Sequence, residues 1–411
     1  MRKLFRVTTV PVSIYLLLKN QLRFMSDYFD VTAVSSEGIM LQKVASREGV
    51  STIPVNMTRK ISPLRDLISL YKLFYLFKKE RPEIVHTLSP KAGLLGMMAA
   101  KLAGVPIRMH SVAGLPLLET LGVKRVLLDA MEKLTCSCAT RVYSNSFKLR
   151  SVILKNKYCK ENKLTVIGNG STNGIDTAHF DPSLFNASSK KNMRTSLNIG
   201  SDDIVFCFVG RIVKPKGIVE LLKAFTLLSE INSNVRLLFV GPFDADKDSL
   251  DPETISEITS HSCIRWVGFQ EDVRPYLSVS DVFVFPSHRE GFPNVVMQAC
   301  AMQLPCIVTD INGSNELIEH GINGLIVQVK DDKSLYDAMQ QLVTENSLRI
   351  SMAMNSRHNI VARYDQRFVF NSILREYHQA LSAASIQPID NSQVSGKSPK
   401  QDEHRYTTIQ H

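Results

Sequence analysis

The chain has 411 residues, 44% of them hydrophobic, and a formal net charge of +10 at pH 7. A single compact core rarely grows to this size, so the length favours two domains of about 200 residues each. The seven cysteines are an odd number, which argues against a disulfide framework and for a reducing cytosol. The pair Cys136 and Cys138 lacks the spacing of a zinc site.

The N-terminal segment has the basic head and apolar middle of a signal peptide. However, Pro11 and Ser13 interrupt the apolar run, Lys19 ends it, and no small-residue cleavage site follows. We therefore expect a strand over Leu4–Val10 that turns into a helix near Pro11. No stretch reaches the about 18 to 20 apolar residues that a membrane span needs. The sequence predicts a cytoplasmic protein.

Short runs of apolar and β-branched residues alternate with helical patterns, which is typical of parallel sheets flanked by helices. We predict an α/β fold with ligands at the carboxyl ends of the strands. In the first half the predicted strands are LFRVTTV, DVTAVS, EIVHTLS, PIRMHSV, TRVYSN and LTVIGN. In the second half they are DIVFCFVG, VRLLFVG, IRWVGF, DVFVFPS, PCIVTD and GLIVQV.

Shifts in composition predict the domain bounds. The first domain is expected over residues 1–182, a linker with one short helix over 183–200, and the second domain over 201–364. Residues 365–384 read as one more helix. Residues 385–411 are polar and rich in Pro, Ser, Gln and Lys, which predicts a disordered tail.

Charge is unevenly distributed between the two halves. Residues 1–180 contain 27 Lys and Arg against 12 Asp and Glu, whereas the remainder contains 22 against 27. The asymmetry indicates that the first half faces an anionic partner, either nucleic acid or an acidic membrane surface.

One predicted helix of the first half is a candidate for contact with an anionic membrane. It begins with Ser62 as the N-cap and Pro63 at the first helical position. Two interpretations stay open: the helix packs on its sheet with a solvated charged edge, or it lies on an anionic membrane. Its apolar residues at helical spacing are Leu67, Leu70, Tyr71, Phe74 and Phe77, and its basic residues are Arg65, Lys72, Lys78, Lys79 and Arg81.

Several segments of the second half are consistent with one ligand site. Gly210 ends a strand, and Arg211 and Lys216 lie between that strand and the next helix, with Lys214 as a third candidate cation. Cations beside a helix N-terminus suit a diphosphate, because free N–H groups and the helix dipole add to their charge. The alternative is a loop of solvated lysines. Gly268 and Phe269 end another strand, where backbone amides would contact a base.

The stretch SHREGFPNVVMQ places an acid, a flexible loop and a helix start in sequence. Glu290 lies in the loop, Gly291 allows close approach to a ligand, and Pro293 suits the first turn of a helix. Gln298 lies about one turn inside that helix, where it would face the same crevice. A carboxylate here accepts hydrogen bonds from sugar hydroxyls. Glu316 follows the next strand in a Gly-rich turn.

Two common nucleotide motifs are missing from the sequence. G-x-G-x-x-G does not occur between a strand and a helix, and no P-loop is present. The sequence therefore contains neither the motif typical of hydride-transferring enzymes nor the motif typical of ATP hydrolysis.

Taken together, GRIVKPKG, PSHREGFPNVVMQACAMQLPCIVTD, NGSNELI and GINGLIV resemble the donor-binding domain of retaining glycosyltransferases of family 4. In the first half, HTLSPKAGLLGMMAAKLAGVPIRMHSVAGLP and GNGSTNGIDTAHF resemble members that build bacterial surface polysaccharides such as capsule and O-antigen. The resemblance implies the GT-B fold, in which two Rossmann-like domains face each other across a crevice and the C-terminal helix crosses back to the first.

The resemblance also implies roles for single residues. Arg211 and Lys216 hold the donor diphosphate and stabilise the leaving nucleotide, and Glu290 is the first acid of the E-x7-E motif. The loop that reaches phosphate and sugar is Gly291, Phe292, Pro293 and Asn294. On the acceptor side, the resemblance places His110 near the reacting centre and matches Asn173, Gly174 and Asp176 to an N-G-x-D segment. From position alone, His86 ends another strand beside Lys91, and we expect both to help shape the acceptor site.

Gln298 occupies the position of the second acid of that motif, which binds the ribose hydroxyls. A charge-assisted hydrogen bond contributes about 1.5–3 kcal/mol and a neutral one about 0.5–1.5 kcal/mol. The expected loss is about one kcal/mol of donor affinity, roughly five- to tenfold. We expect sugar transfer itself to be retained with Gln298 at this position.

We therefore expect a retaining, metal-independent glycosyltransferase, peripheral on the inner face of the cell membrane, that needs no cofactor beyond its nucleotide-sugar co-substrate. The expected donor is a UDP-sugar and the expected acceptor a saccharide on a polyprenyl diphosphate. Three alternatives remain: a GT-B sugar-nucleotide 2-epimerase, a basic nucleic-acid-binding protein, and a catalytically dead scaffold. An epimerase needs no acceptor, so the basic first domain counts against it. The nucleic-acid alternative is weakened because the sequence has neither the aromatic-rich basic strand of an RNA-binding sheet nor the spacing of a zinc finger.

Overall fold

The computed structural model describes residues 1–115, 117, 120–244 and 248–384. The predicted tail, 385–411, lies outside the described residues. The strands form two sheets, of seven and six strands, in which every pairing is parallel. The prediction of two Rossmann-like α/β domains is confirmed.

The first sheet has the strand order β3-β2-β1-β4-β5-β6-β7. All six strands predicted in this half are present. We did not predict β3, because it is a four-residue strand without a buried residue. The strands are β1 (Lys3–Thr8), β2 (Asp30–Ser35), β3 (Ser51–Pro54), β4 (Ile84–Leu88), β5 (Ile107–Val112), β6 (Arg141–Ser144) and β7 (Leu164–Val166).

In the part of this half that the structure describes, seven α-helices connect the strands, and α5 contacts both α4 and α6. The helix α4 begins after Ser62 as predicted. The helices are α1 (Pro11–Leu17), α2 (Gln21–Ser26), α3 (Ile39–Glu48), α4 (Pro63–Glu80), α5 (Pro90–Leu102), α6 (Gly122–Cys138) and α7 (Phe147–Lys155).

Helix α4 has two apolar faces. Leu73 and Phe77 are buried in the core of the first domain. Leu64, Leu67 and Tyr71 point outward and are 79%, 64% and 66% exposed. The helix therefore packs on its domain and also presents an apolar surface to its surroundings. No helix of the described ranges is long and apolar enough to cross a membrane.

The second sheet has the order β10-β9-β8-β11-β12-β13, and its six strands all match predicted runs. They are β8 (Ile204–Val209), β9 (Val235–Val240), β10 (Ile264–Trp266), β11 (Val282–Phe285), β12 (Cys306–Thr309) and β13 (Gly324–Val327). The helices of this half are α8 (Ala187–Ser196), α9 (Ile218–Ile231), α10 (Pro252–Ser260), α11 (Arg274–Ser278), α12 (Asn294–Ala301), α13 (Ser314–Leu317), α14 (Asp332–Thr344) and α15 (Asn346–Tyr364).

Helix α8, in the expected linker, is fixed to the second domain. Arg194 donates a hydrogen bond to the carbonyl of Val279 at 3.0 Å and forms an ion pair with Asp281 at 2.8 Å. The last helix, α16 (Gln366–Ala383), returns to the first sheet. Its Tyr377 lies in one apolar cluster with Leu4 of β1, which confirms the predicted crossing.

Candidate active site in the interdomain crevice

The donor-side cations lie between β8 and α9, as the sequence predicted. Arg211 follows the end of β8, and its side chain is 61% exposed while it forms an ion pair with Asp244 at 2.6 Å. Lys216 ends a 3-10 turn, and Gly217 follows with a φ of +71° as the residue before α9. A side chain at Gly217 would overlap the carbonyl of Pro286, so glycine lets this loop pack on the end of β11.

Lys216 and Glu290 form an ion pair between two loops at the ends of neighbouring strands. The ammonium of Lys216 also lies over the ring of Phe285, 5.1 Å from its centroid. Glu290 accepts a further hydrogen bond from the Ser287 hydroxyl at 2.9 Å. Both charged side chains are largely buried, so the pair is held in one place. The structure therefore joins two of the four predicted catalytic residues directly.

Gly291 brings the donor loop against the first domain. A Cβ at this position would overlap the carbonyl oxygen of Ala113, which follows β5. Phe292, in contrast, packs within the second domain, where its ring lies on Tyr364 of α15 with centroids 5.5 Å apart. Through Gly291, the loop expected to hold the donor also contacts the first domain.

The start of the following helix differs from the prediction, whereas the position of Gln298 agrees with it. Helix α12 begins at Asn294, and Pro293 is the residue before it rather than a member of its first turn. The ψ of Pro293, 105°, is extended, which explains the later start. Gln298 lies in the second turn of α12 and is half-buried.

Gly268 and Phe269 lie at the end of β10. Gly268 has a φ of +67° and its carbonyl accepts a hydrogen bond from the Gly241 amide at 2.8 Å. The Phe269 side chain is 73% exposed, which leaves its ring open to a planar partner. Their predicted contact with a nucleotide base stays a prediction.

A cavity of about 220 Å³ opens at the carboxyl ends of β4 and β5 in the first domain. It is lined by α1, by Ser89 and Pro90 at the start of α5, by His110 to Gly114, and by Glu132 of α6. The cavity is far larger than one water molecule needs. Because Gly291 contacts Ala113, this cavity lies beside the donor loop.

His110 is a buried, neutral member of this cavity wall. Its Nδ1 is 2.8 Å from the Thr87 hydroxyl, and burial lowers the pKa of the imidazole to about 4. Gly93 of α5 makes room for the ring, since a Cβ there would overlap it. At neutral pH the ring is therefore uncharged.

Glu132 is the cavity residue that the sequence did not reveal. The side chain is 7% exposed, and burial alone raises the pKa of its carboxyl to about 7. The sequence held a signal for this burial, because Glu132, Thr135 and Cys136 are spaced i, i+3 and i+4, and all three lie on one buried face of α6. A carboxyl with such a raised pKa in a cavity is typical of a functional site.

His86, predicted to help shape the acceptor site, lies apart from the cavity that His110 lines. Its Nε2 is 2.7 Å from the Ser111 hydroxyl, and its Nδ1 contacts Arg6 and is 2.7 Å from the Tyr377 hydroxyl. These contacts help to attach α16 to the first sheet. A role of His86 in the acceptor site stays a prediction.

Lys91 and the N-G-x-D segment also lie away from that cavity. Lys91 is 8% exposed and forms an ion pair with Asp66 at 2.7 Å, which joins α5 to α4. Asn173 donates to the carbonyl of Lys19 at 2.9 Å, and Asp176 accepts from the His179 amide at 3.0 Å. Lys91 and the N-G-x-D segment thus contact other parts of the first domain and do not line the cavity that contains His110.

Two family descriptions match the two halves of the chain. "Glycosyl transferase 4-like domain" matches residues 26–170, and "Glycosyl transferases group 1" matches residues 203–345. The capsular polysaccharide biosynthesis glycosyltransferase CapM of Staphylococcus aureus is 35% identical over 92% of this chain and 98% of its own length. The chain belongs to this glycosyltransferase family.

Two further proteins are similar to this glycosyltransferase. The UDP-Gal:alpha-D-GlcNAc-diphosphoundecaprenol alpha-1,3-galactosyltransferase of Escherichia coli is 29% identical over 82% of this chain and 85% of its own. The crystal structure of Anabaena Alr3699/HepE in complex with UDP superposes with a TM-score of 0.77, at 17% identity, over 92% of this chain and 100% of the other. The latter likeness supports the GT-B fold.

Proposed function

We propose that this glycosyltransferase moves a sugar from a UDP-sugar to a saccharide on a polyprenyl diphosphate, with retention of configuration and without a metal ion. In this proposal residues 201–364 bind the donor and residues 1–182 bind the acceptor. The observation that carries it is the contact of Gly291 with Ala113. That contact sets the donor loop beside the cavity that His110 and Glu132 line.

The proposed reaction is a front-face displacement. The acceptor oxygen bonds to the anomeric carbon on the face from which the phosphate leaves, and its proton passes to the departing phosphate oxygen. Arg211 and Lys216 neutralise the charge that grows on the diphosphate, and such preorganised cations are a large part of catalysis in many enzymes. This supply of positive charge is why we propose that no metal is needed.

The names of the relatives support a UDP-sugar as the donor and a lipid-linked saccharide as the acceptor. The Escherichia coli relative is named for a UDP-sugar donor and a diphosphoundecaprenol-linked acceptor, and the Staphylococcus aureus relative for capsular polysaccharide biosynthesis. We carry both classes to this chain as part of the proposal. The product would be an intermediate of a bacterial surface polysaccharide.

We further propose that the outward face of α4 and the start of α6 rest on the inner, anionic surface of the cell membrane. Exposed apolar side chains there stand beside basic ones, the composition that binds headgroups and the upper acyl region. A polyprenyl-linked acceptor would reach the cavity from this surface. The exposed apolar residues are Leu64, Leu67, Ile68, Tyr71, Tyr75, Val123, Val126 and Leu127, and the nearby basic ones are Arg65, Lys72, Lys124 and Arg125.

A transfer assay tests the reaction. The protein is incubated with single UDP-sugars, EDTA and GlcNAc-diphosphoundecaprenol in anionic vesicles, and products are identified by mass spectrometry and NMR. The proposal expects a disaccharide product with the donor's anomeric configuration. An inverted product, or a requirement for divalent metal, would contradict the mechanism. Interconversion of free UDP-GlcNAc and UDP-ManNAc would favour the epimerase instead.

Vesicle co-sedimentation tests the membrane surface. The double variant L67E/Y71E should lose binding to phosphatidylglycerol vesicles, while Ile231→Glu, which changes an equally exposed residue of the second domain, should bind like the native protein. Equal binding by all three proteins would contradict this surface. Tighter salt-sensitive binding to oligonucleotides than to vesicles would favour the nucleic-acid alternative.

A further inference from the structure

Helix α7 of the first domain is capped by a carboxylate of the second. The backbone N–H of Phe147 donates to Glu316 Oε2 at 2.8 Å, and the N–H of Lys148 donates to Glu316 Oε1 at 2.9 Å. The sequence placed Glu316 with the donor ligand. The structure instead aims both of its oxygens at the neighbouring domain.

These two bonds complete the N-terminus of α7. The first N–H groups of a helix have no partner inside it, and the dipole makes this end positive. The N-cap hydroxyl of Ser146 accepts from the third amide, that of Leu149, at 3.0 Å. The next amide, that of Arg150, makes the first ordinary bond of the helix, to the Ser146 carbonyl at 3.0 Å. Two of the three free amides in the first turn of α7 are therefore capped from the other domain.

The same end of α7 is connected to the donor loop. The Ser146 hydroxyl donates to Asn312 Oδ1 at 2.8 Å. The Nδ2 of Asn312 in turn donates to the carbonyl of Gly291 at 2.7 Å. Because Gly291 follows Glu290 directly, an unbroken series of hydrogen bonds runs from the donor loop to the first domain.

We propose that Glu316 is a positioning residue that, with Asn312, couples closure of the crevice to the state of the donor loop. We call Glu316, Asn312, Ser146 and the amides of Phe147 and Lys148 the clasp. A donor that orders Gly291 fixes Asn312 toward Ser146, and Glu316 then holds α7. This inference rests on the proposed transfer in the crevice, and it adds what keeps the crevice shut while the donor is bound.

Closure matters to the chemistry for two reasons. It brings the donor loop to Ala113 beside the acceptor cavity, and it excludes water that would hydrolyse the donor. When the crevice opens, the amides of Phe147 and Lys148 lose their partner oxygens to water. Their exchange with solvent therefore reports directly on the clasp.

The first test is hydrogen exchange at these two amides, compared between the native protein, Glu316→Gln and Glu316→Ala. The alanine variant removes both acceptor oxygens, and the glutamine variant keeps one. We expect exchange faster by about tenfold in the alanine variant, with the glutamine variant in between, because an uncapped amide opens more often. Asp310→Asn is the matched control, since Asp310 forms a solvent-exposed pair with Lys148 across the same boundary. It should exchange like the native protein.

The second test separates positioning from binding. We expect kcat for transfer to fall about 10- to 100-fold in Glu316→Ala, as misplacement of reacting groups does, while the Kd for UDP changes less than about twofold. The fraction of donor lost to hydrolysis should rise. Unchanged exchange in both variants would overturn the proposal, and so would a loss of UDP binding that matches the loss of kcat.

The two readouts also separate this inference from the proposed function. Exchange at Phe147 and Lys148 needs neither donor nor acceptor. If the native protein transferred no sugar, the proposed substrates would be wrong, yet the exchange rates would still decide whether Glu316 holds α7.

Discussion

Lys216 and Glu290 form an ion pair that joins the loop before α9 to the loop before α12. The pair fixes both side chains in a largely buried position. In the proposed function, the donor diphosphate meets Lys216 while Glu290 meets the sugar. The two loops are therefore proposed to act on one donor together.

Glu290→Ala should nearly abolish transfer while the protein stays folded. Loss of one preorganised group commonly lowers kcat by about 10²- to 10³-fold. Asp251→Ala is the control, because Asp251 forms an exposed ion pair with the neighbouring Lys214. For both variants, steady-state kinetics measure the activity and circular dichroism measures the folding. A near-normal kcat in Glu290→Ala would remove this residue from the active site.

Gln298→Glu should restore the second acid of the motif. We expect the donor KM to fall by up to about five- to tenfold, or to stay unchanged, because a charged acceptor binds ribose hydroxyls more strongly than an amide does. The measurement is donor-saturation kinetics at fixed acceptor. A large loss of kcat would show that the glutamine has a function of its own.

His110 and His86 should respond differently to the same truncation. His110→Ala should lower kcat with little change in the Kd for UDP, since His110 lines the acceptor cavity. His86→Ala removes a buried hydrogen-bond partner of Arg6, Tyr377 and Ser111, and a buried polar group left unsatisfied costs about 1–3 kcal/mol of unfolding free energy. Urea titration and transfer kinetics distinguish them. Equal kinetic loss without destabilisation of the His86 variant would return His86 to the active site.

Glu132 should make stability depend on pH. Its pKa is about 7 in the folded protein against an ordinary 4.5, so between these values the folded state binds more protons than the unfolded state. Stability then falls as pH rises from about 4.5 to 7, by about 3 kcal/mol in total. Glu132→Gln should remove this decline relative to the native protein. Parallel urea midpoints of the two proteins from pH 5 to pH 8 would contradict the assignment.

The fold followed from the sequence because each strand of a doubly wound sheet is a short apolar run. The exception, β3, is a partly exposed edge strand, and its residues carry no such run. The placement of Arg211, Lys216 and Glu290 also followed from the sequence, because these residues belong to loops at the ends of adjacent strands. Parallel strands bring such loops to one edge of the sheet.

The positions of the acceptor-side residues could be predicted from the sequence only in part. A position near a strand end does not tell which face of the sheet a side chain takes, and His86 and His110 take different ones. The partner of His86, Tyr377, is 291 residues away in sequence. Glu316 was expected to meet a ligand and instead caps a helix of the other domain. Such contacts depend on how the two domains meet, which local sequence does not encode.

The most direct measurement is thermal stability with UDP, GDP, ADP and CMP, each with and without magnesium. A ligand at about 100 times its Kd adds about 2.7 kcal/mol of stability, which gives a clear rise in Tm. We predict that UDP raises Tm without magnesium, and that Glu290→Ala still folds when UDP is absent. A response to GDP alone would contradict the UDP-sugar donor, and no response to any of the four would contradict the donor site itself.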